Sequence, residues 1–454
     1  MKTSTVSLTD LLILRDLFAR DNDFYIIDPA NRVNGDKNSI PTFRNSNNAD
    51  NNTPAFVADV RKGEIKLYTT SFDHDQWVSF DYINNPDGTI RWFYPSSGLQ
   101  AGHLALYNSG TLKSRLYKAV TKLAWKFGQS SRLASGTFKV QQKLFETVKK
   151  NCGMAPHEAV AFFTGTRGAT RKMVIEIHDE YQTTGFIKMP LTPQAELLID
   201  NEYKMVNSLN KYDFTTLSLP KSSKRINGHA RLSNIKPAVT IPADRITAIH
   251  VRALAELYAI SHDRITTNKT AAWDTIESNI YFLCEELVFI NDLNKQKTRE
   301  LIRLMKEVYN SIAATEPVAV SISHGDFTPW NMYCDEQRLY VYDWEMAKNG
   351  IPMLFDLFHF TYQSVILQHR KNYTEVKETI NSWKKQPLVQ QLVHKYQINL
   401  LQHQSLYLLF TVSHYLRQYL SEKELLMQSH WMVDAWTEAL QDCLEQLSKK
   451  ANQS

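Results

Sequence analysis

Two short stretches of this 454-residue chain set acids and an amide at spacings that can do chemistry. The first reads Ser323-His324-Gly325-Asp326-Phe327-Thr328-Pro329-Trp330-Asn331-Met332, the second Val341-Tyr342-Asp343-Trp344-Glu345. Apolar strand-like runs at 318–323 and 338–342 lead into them, so the polar residues fall in turns at strand ends. Two acids and one amide from neighbouring turns can converge on one place. Phosphoryl transfer needs such a set: an acid to orient or deprotonate an acceptor hydroxyl, and hard oxygen ligands for Mg²⁺. One Asp and one Asn suffice, because magnesium also keeps waters and takes phosphate oxygens.

HGDFTPWN followed by VYDWE resembles the HGDxxxxN and DW(E/D) pair of aminoglycoside phosphotransferase and choline kinase-like enzymes, which are small-molecule kinases with the protein-kinase fold. The resemblance covers roughly residues 155–450. Asp326 and Asn331 keep the D-x-x-x-x-N spacing of the kinase catalytic loop, with His-Gly in place of His-Arg. The resemblance implies Asp326 as catalytic base, Asn331 and Asp343 as Mg²⁺ ligands, and ATP as phosphoryl donor.

It also implies a nucleotide cradle upstream. Gly165 and Gly168, in Phe163-Thr164-Gly165-Thr166-Arg167-Gly168, suit a glycine turn closing over phosphates through backbone N–H groups, although an ordinary hairpin has the same pattern. Lys188 ends a strand-like run where the family places its phosphate-contacting lysine, and Glu202 stands on the next helix as its partner. Lys172 and Glu196 compete for these two roles, but Lys172 follows the glycine turn too closely for a third strand. Asn234, in Leu232-Ser233-Asn234-Ile235, marks the hinge that meets the adenine edge. Asp356, in Pro352-Met353-Leu354-Phe355-Asp356, is expected to brace the catalytic loop.

The elements that must position these residues make an α+β chain: a protein-kinase-like two-lobed domain, small β-rich lobe before large helical lobe, preceded by an extra N-terminal α+β region. Four segments are expected. Residues 1–108 form the N-terminal region, with a helix over 8–19, an Asn-rich loop at 34–52 and four short strands between 55 and 94. Residues 109–154 form a basic helical connector, 155–232 the kinase-like N-lobe, and 233–454 the helical C-lobe with the catalytic loop. The N-lobe strands are read at 159–163, 172–177, 185–189 and near 227–232, with a helix over 193–209. Beyond 245 the pattern is helical except for the island at 318–360.

Composition sets outer bounds. A single core rarely exceeds roughly 250–300 residues, so the chain holds more than one domain. With 43% hydrophobic residues, 15 Gly and 15 Pro, it is neither largely disordered nor collagen-like. Lysine and arginine number 52 against 47 acids, a net +5, which is low for a dedicated nucleic-acid binder. The four cysteines, Cys152, Cys284, Cys334 and Cys443, make no CxxC pair and fit a reducing compartment. The N-terminus lacks a secretory pattern and no apolar run reaches the roughly 20 residues of a bilayer span, so a cytoplasmic protein is expected.

The charge is uneven. Residues 109–150 carry ten basic side chains against one acid, Glu146. Leu112, Leu116, Ala119, Val120, Leu123 and Phe127 recur there at helical spacing. This helix is expected to pack its apolar face on the kinase lobe with its lysines in solvent. A weak contact of 110–150 with an anionic membrane is the alternative. Residues 357–454 have no acidic excess, which argues mildly against a polycationic acceptor. A neutral or anionic sugar, or an intermediate of surface-polysaccharide assembly, fits at least as well.

The expected function is ATP-dependent transfer of the γ-phosphate to a hydroxyl of a small molecule or glycan. The alternative from another class is an inactive kinase-like nucleotide-binding or scaffold protein, against which the intact Asp326, Asn331 and Asp343 speak.

Overall fold

The computed structural model describes residues 76–97, 112–127, 133–165, 168–179, 182–222, 229–286, 295–312, 314–422 and 427–452. It also describes Leu14, Leu17, Leu104 and the strand segments 24–27, 56–59 and 66–69. Apart from Leu14 and Leu17, the helix expected over 8–19 lies outside the described residues, as does the loop at 34–52. The described residues form two compact units. One lies within Met1–Tyr203 and Lys221–Asn234, the other within Lys204–Pro220 and Ile235–Ser454.

The first unit is built on strands β1 (Phe24–Ile27), β2 (Phe56–Asp59), β3 (Lys66–Thr69), β4 (Trp77–Asn84) and β5 (Ile90–Pro95). Helix α1 (Leu112–Lys126) comes next, then β6 (Gly136–Gln141) and α2 (Gln142–Asn151). The chain continues through β7 (Ala159–Phe163), β8 (Lys172–His178), β9 (Thr183–Pro190), α3 (Pro193–Leu209), β10 (Leu217–Ser218) and β11 (Ala230–Ser233). Ten of these strands make one sheet in the order β1-β2-β3-β6-β4-β5-β7-β8-β9-β11.

The strands expected for the N-terminal region and those expected for the N-lobe therefore share one sheet. The seam is β5 against β7, with Trp92 opposite Phe163 and Phe93 opposite Phe162. Aromatics hold it: the Phe93 and Phe162 rings stack at 4.5 Å, and the Trp92 and Phe163 rings lie 4.7 Å apart. Such side chains bury large areas and give ring pairs a further stabilisation of about 0.5–1.5 kcal/mol each.

Two expectations for 109–154 need correction. The segment is not wholly helical, because β6 inserts between β3 and β4. Gly136-Thr137-Phe138-Lys139-Val140 alternates at period two, and pairing with β4 buries Phe138 and Val140. The helical spacing read at 112–127 does not extend into this stretch, where that burial decides for a strand. Helix α1 does form, but its apolar stripe is exposed. The packed face instead carries buried Thr121 and the Trp125 ring, 5.8 Å from Tyr94.

The second unit takes in Lys204–Pro220 because Val206, Leu209, Leu217 and Leu219 enter its core. The division thus falls inside α3 and again after Asn234, whereas the segment reading set it at 232/233. Its further elements are α4 (Ala248–Ile260), β12 (His262–Thr266), α5 (Ala271–Glu286), α6 (Lys295–Ser311), β13 (Pro317–Ser323) and β14 (Met332–Cys334). Then come β15 (Leu339–Val341), β16 (Lys348–Pro352), α7 (Phe355–Tyr362), α8 (Tyr373–Lys384), α9 (Pro387–Lys395), α10 (Leu400–Glu422) and α11 (Met427–Ala451). Two three-stranded sheets, β12-β13-β16 and β10-β15-β14, stand among the helices. Strand β12 falls where only helix is expected. Its His262, Asp263 and Arg264 are exposed, so no alternation announces it, and pairing with β13 makes it a strand. The α+β class, sheet-rich unit followed by helical unit, is as expected.

One buried histidine gives the helical unit a pH dependence. His250 on α4 is wholly buried between the Phe327 and Phe360 rings, and its Nδ1 accepts the Thr247 N–H at 3.2 Å. Burial pulls its pKa from the ordinary 6.5 down to about 4. Between these values the unfolded chain binds a proton that the folded chain does not. Stability must then fall as pH drops through that window, by up to about 3 kcal/mol. Thermal melts from pH 7 to pH 4 should show this, with a flatter profile in His250→Gln; an unaltered slope in that variant counts against the assignment.

Candidate active site

The helical unit holds the loop. Strand β13 ends at Ser323, and the chain turns through His324 and Gly325 to Asp326. Gly325 sits at φ +81, and a Cβ there would run into the Met346 carbonyl oxygen, so the turn requires glycine. Buried Asp356, near the start of α7, fastens the turn from below. Its carboxylate accepts the Ser323 hydroxyl at 2.9 Å and the backbone N–H groups of His324 at 2.9 Å and Gly325 at 3.1 Å. The bracing role expected of Asp356 is thus visible in full.

Buried His324 is the second fastening. Its Nδ1 accepts the Asp326 N–H at 3.2 Å and its Nε2 lies 2.8 Å from the Tyr342 carbonyl. These partners select the neutral tautomer with the proton on Nε2. The ring also packs edge-on to buried Trp344 at 4.6 Å, tying the first motif to the second.

The Asp326 carboxylate is thereby presented at the surface, its side chain 36% exposed. Asn331 Nδ2 donates to Asp326 Oδ2 at 2.8 Å and to its carbonyl at 3.0 Å. On the other side His359 Nε2 lies 3.2 Å from Asp326 Oδ1. Tyr415 is also near: burial first, then the Asp326 charge, push its phenol up to about 12.

The two motifs meet through a hairpin. Antiparallel β14 and β15 pair Met332 with Val341, which sets Asn331 beside Tyr342 at the open end. The Tyr342 N–H donates to the Asn331 carbonyl at 2.8 Å. Asp343 follows with φ 63 and ψ 54, a left-handed conformation that costs a non-glycine residue about 1–3 kcal/mol and tends to mark functional positions. A Glu345 carboxylate oxygen lies within 4.8 Å of one from Asp343. With both amide hydrogens of Asn331 directed at Asp326, its Oδ1 is the oxygen left to offer a cation. An amide oxygen and a carboxylate are donor types of the hard kind that Mg²⁺ takes.

The sheet unit carries the other expected residues. Lys188, on β9 opposite Val174 and Ala230, places Nζ 2.6 Å from Glu202 Oε2, with both side chains buried. Of the competitors, Lys172 opens β8 and Glu196 is exposed in the first turn of α3. Gly165 lies in the β7–β8 turn at φ +73, where a Cβ would meet the Lys172 carbonyl oxygen. Gly168 belongs to the same turn at φ +144. Asn234 is anchored to β9, its N–H on the Thr184 carbonyl at 3.0 Å and its amide on the Thr183 carbonyl at 2.9 Å.

His359, which touches Asp326, and Trp330, in the same loop, went unrecognised in the sequence. His359 looks there like one more helical histidine. Its signal is the i, i+3 spacing from Asp356, which puts both on the helix face turned to the loop. Trp330, between Pro329 and Asn331, is 45% exposed, unusual for a large aromatic.

Residues 236–367 match the model of the phosphotransferase enzyme family, and this stretch contains both motifs. No curated protein matches the chain. Among solved structures, the chain is similar to a streptomycin–ATP–APH(2")-IIa ternary complex, with 12% identity, 66% of this chain and 96% of that one covered, and a TM-score of 0.40. It is similar also to ADP-bound aminoglycoside phosphotransferase APH(2'')-Ib, at 13% identity, 67% and 99% coverage and a TM-score of 0.41. Glucosamine kinase in complex with glucosamine, ADP and inorganic phosphate aligns at 15% identity, 65% and 84% coverage and a TM-score of 0.40. The family resemblance read from HGDFTPWN and VYDWE is therefore met by the family match, over a shorter stretch than residues 155–450.

Proposed function

We propose that this protein is an ATP-dependent phosphotransferase that moves the γ-phosphate to a hydroxyl of a small molecule or glycan. The observation that carries the reading is the Asp326 carboxylate, exposed at the tip of a rigid turn and oriented by Asn331 and His359. In the proposed reaction the acceptor oxygen bonds to the γ-phosphorus as the bridge to the β-phosphate breaks, and the hydroxyl proton passes to Asp326. Asn331 and Asp343 would hold Mg²⁺, which would supply charge neutralisation along the phosphates. Catalysis is then mostly positioning and electrostatics.

The sheet unit supports the nucleotide part. A buried ion pair is a poor stability device, so the buried Lys188–Glu202 pair favours a positional role for the lysine, here on the α- and β-phosphates. Gly165 and Gly168 would cover the phosphates. Asn234, its N–H already bonded to Thr184, would meet the base through its carbonyl.

Trp330, exposed four residues along the loop from Asp326, favours an acceptor with a flat apolar face, such as a pyranose ring, on which an aromatic surface can pack. The test is an ATP-consumption assay over neutral, amino and acidic sugars with Mg²⁺. At least one sugar should stimulate turnover, and Trp330→Ala should raise its KM about tenfold while the KM for ATP stays within twofold, a difference of about 1.4 kcal/mol in acceptor binding. Nucleotide binding without turnover on any acceptor would favour the inactive scaffold instead.

A further inference from the structure

Helix α1 presents an apolar stripe to the outside. Leu116, Val120, Leu123 and Phe127, spaced i, i+4, i+7 and i+11, are 64, 45, 59 and 66% exposed. At about 100° per residue the four project within one sector of the helix. The opposite sector is the one that packs, through Thr121 and Trp125. Lys122 and Lys126, both exposed, run along one edge of the stripe. The helix sequence holds five basic residues, Lys113, Arg115, Lys118, Lys122 and Lys126, and no acid.

We infer that α1 is a docking helix for an anionic lipid surface, lying flat with its stripe in the headgroup–acyl boundary and its lysines on the phosphates. Apolar stripe, lysine border and the absence of acids together define a helix that lies on a membrane. No helix among the described residues is long and apolar enough to cross one, so the contact is peripheral. A protein partner suits this surface less well, because protein interfaces are depleted in lysine. The inference does not depend on the phosphotransfer reading.

Co-sedimentation of the full-length protein with vesicles tests it, comparing phosphatidylcholine alone with a mixture containing about 30% phosphatidylglycerol. At 50 mM NaCl the anionic vesicles should bind the protein at least tenfold better than the neutral ones, and 500 mM NaCl should reverse most of that gain. Leu116→Ser/Leu123→Ser should weaken binding at least tenfold, and Lys122→Gln/Lys126→Gln severalfold. All four positions are exposed, so melting temperatures should stay near wild type and certify the fold. Absence of binding to anionic vesicles at low salt overturns the inference, as does binding that ignores both double variants. A dimer in solution that the leucine variant dissolves, with no vesicle binding, would overturn it in favour of a second copy of this chain.

Discussion

Asp326→Asn is expected to lower phosphotransfer roughly a thousandfold while ATP binding stays within about twofold, the range for loss of a positioned general base. The substitution keeps the size of the side chain and one acceptor oxygen, enough for the Asn331 contact, but replaces the other with an amide donor and removes the charge that attracts the acceptor proton. Turnover measured with the preferred acceptor and nucleotide binding measured by calorimetry separate the two effects. His359→Ala should fall between wild type and this variant, about tenfold down, because it frees the carboxylate to rotate without discharging it. Turnover in Asp326→Asn within a few-fold of wild type would refute the assignment of the base.

The second large effect is expected from Asp356→Ala. This carboxylate is buried and accepts three donors from Ser323, His324 and Gly325. Hydrogen bonds to a charged group contribute about 1.5–3 kcal/mol each, and the abandoned buried donors add a desolvation penalty. The loss should therefore exceed about 4 kcal/mol, among the large values for point variants, and lower the melting temperature by roughly 10 °C. Activity should vanish along with it. Asp356→Asn retains one acceptor oxygen and should recover part of both. A melting temperature within about 2 °C of wild type in Asp356→Ala would show that the turn does not depend on this residue.

These two residues also mark how far the sequence could be read. The meeting of Asp326 with Asn331, and the hairpin that leads to Asp343, were legible because local backbone turns within a short contiguous pattern fix most of that geometry. Lys188 and Glu202 were legible for a related reason: a strand and the helix after it bring them together. His359 was not, since its partner lies 33 residues away in sequence and only the packing of α7 beneath the loop brings the imidazole to Asp326. The same holds for β12, a strand with no alternation that exists by pairing with β13.

The sequence alone thus determined the α+β class, the positions of most strands and of the helices before residue 210, and the helical character of the chain beyond 245, all of which depend on periodicity and turn chemistry within a few residues. Tertiary structure decided what depends on contacts across long separations. It joined the N-terminal strands to β7 in one sheet through Phe93 and Phe162. It threaded β6 between β3 and β4. And it turned the apolar face of α1 outward, because an amphipathic pattern states that a face exists but not which surface, protein or lipid, will cover it.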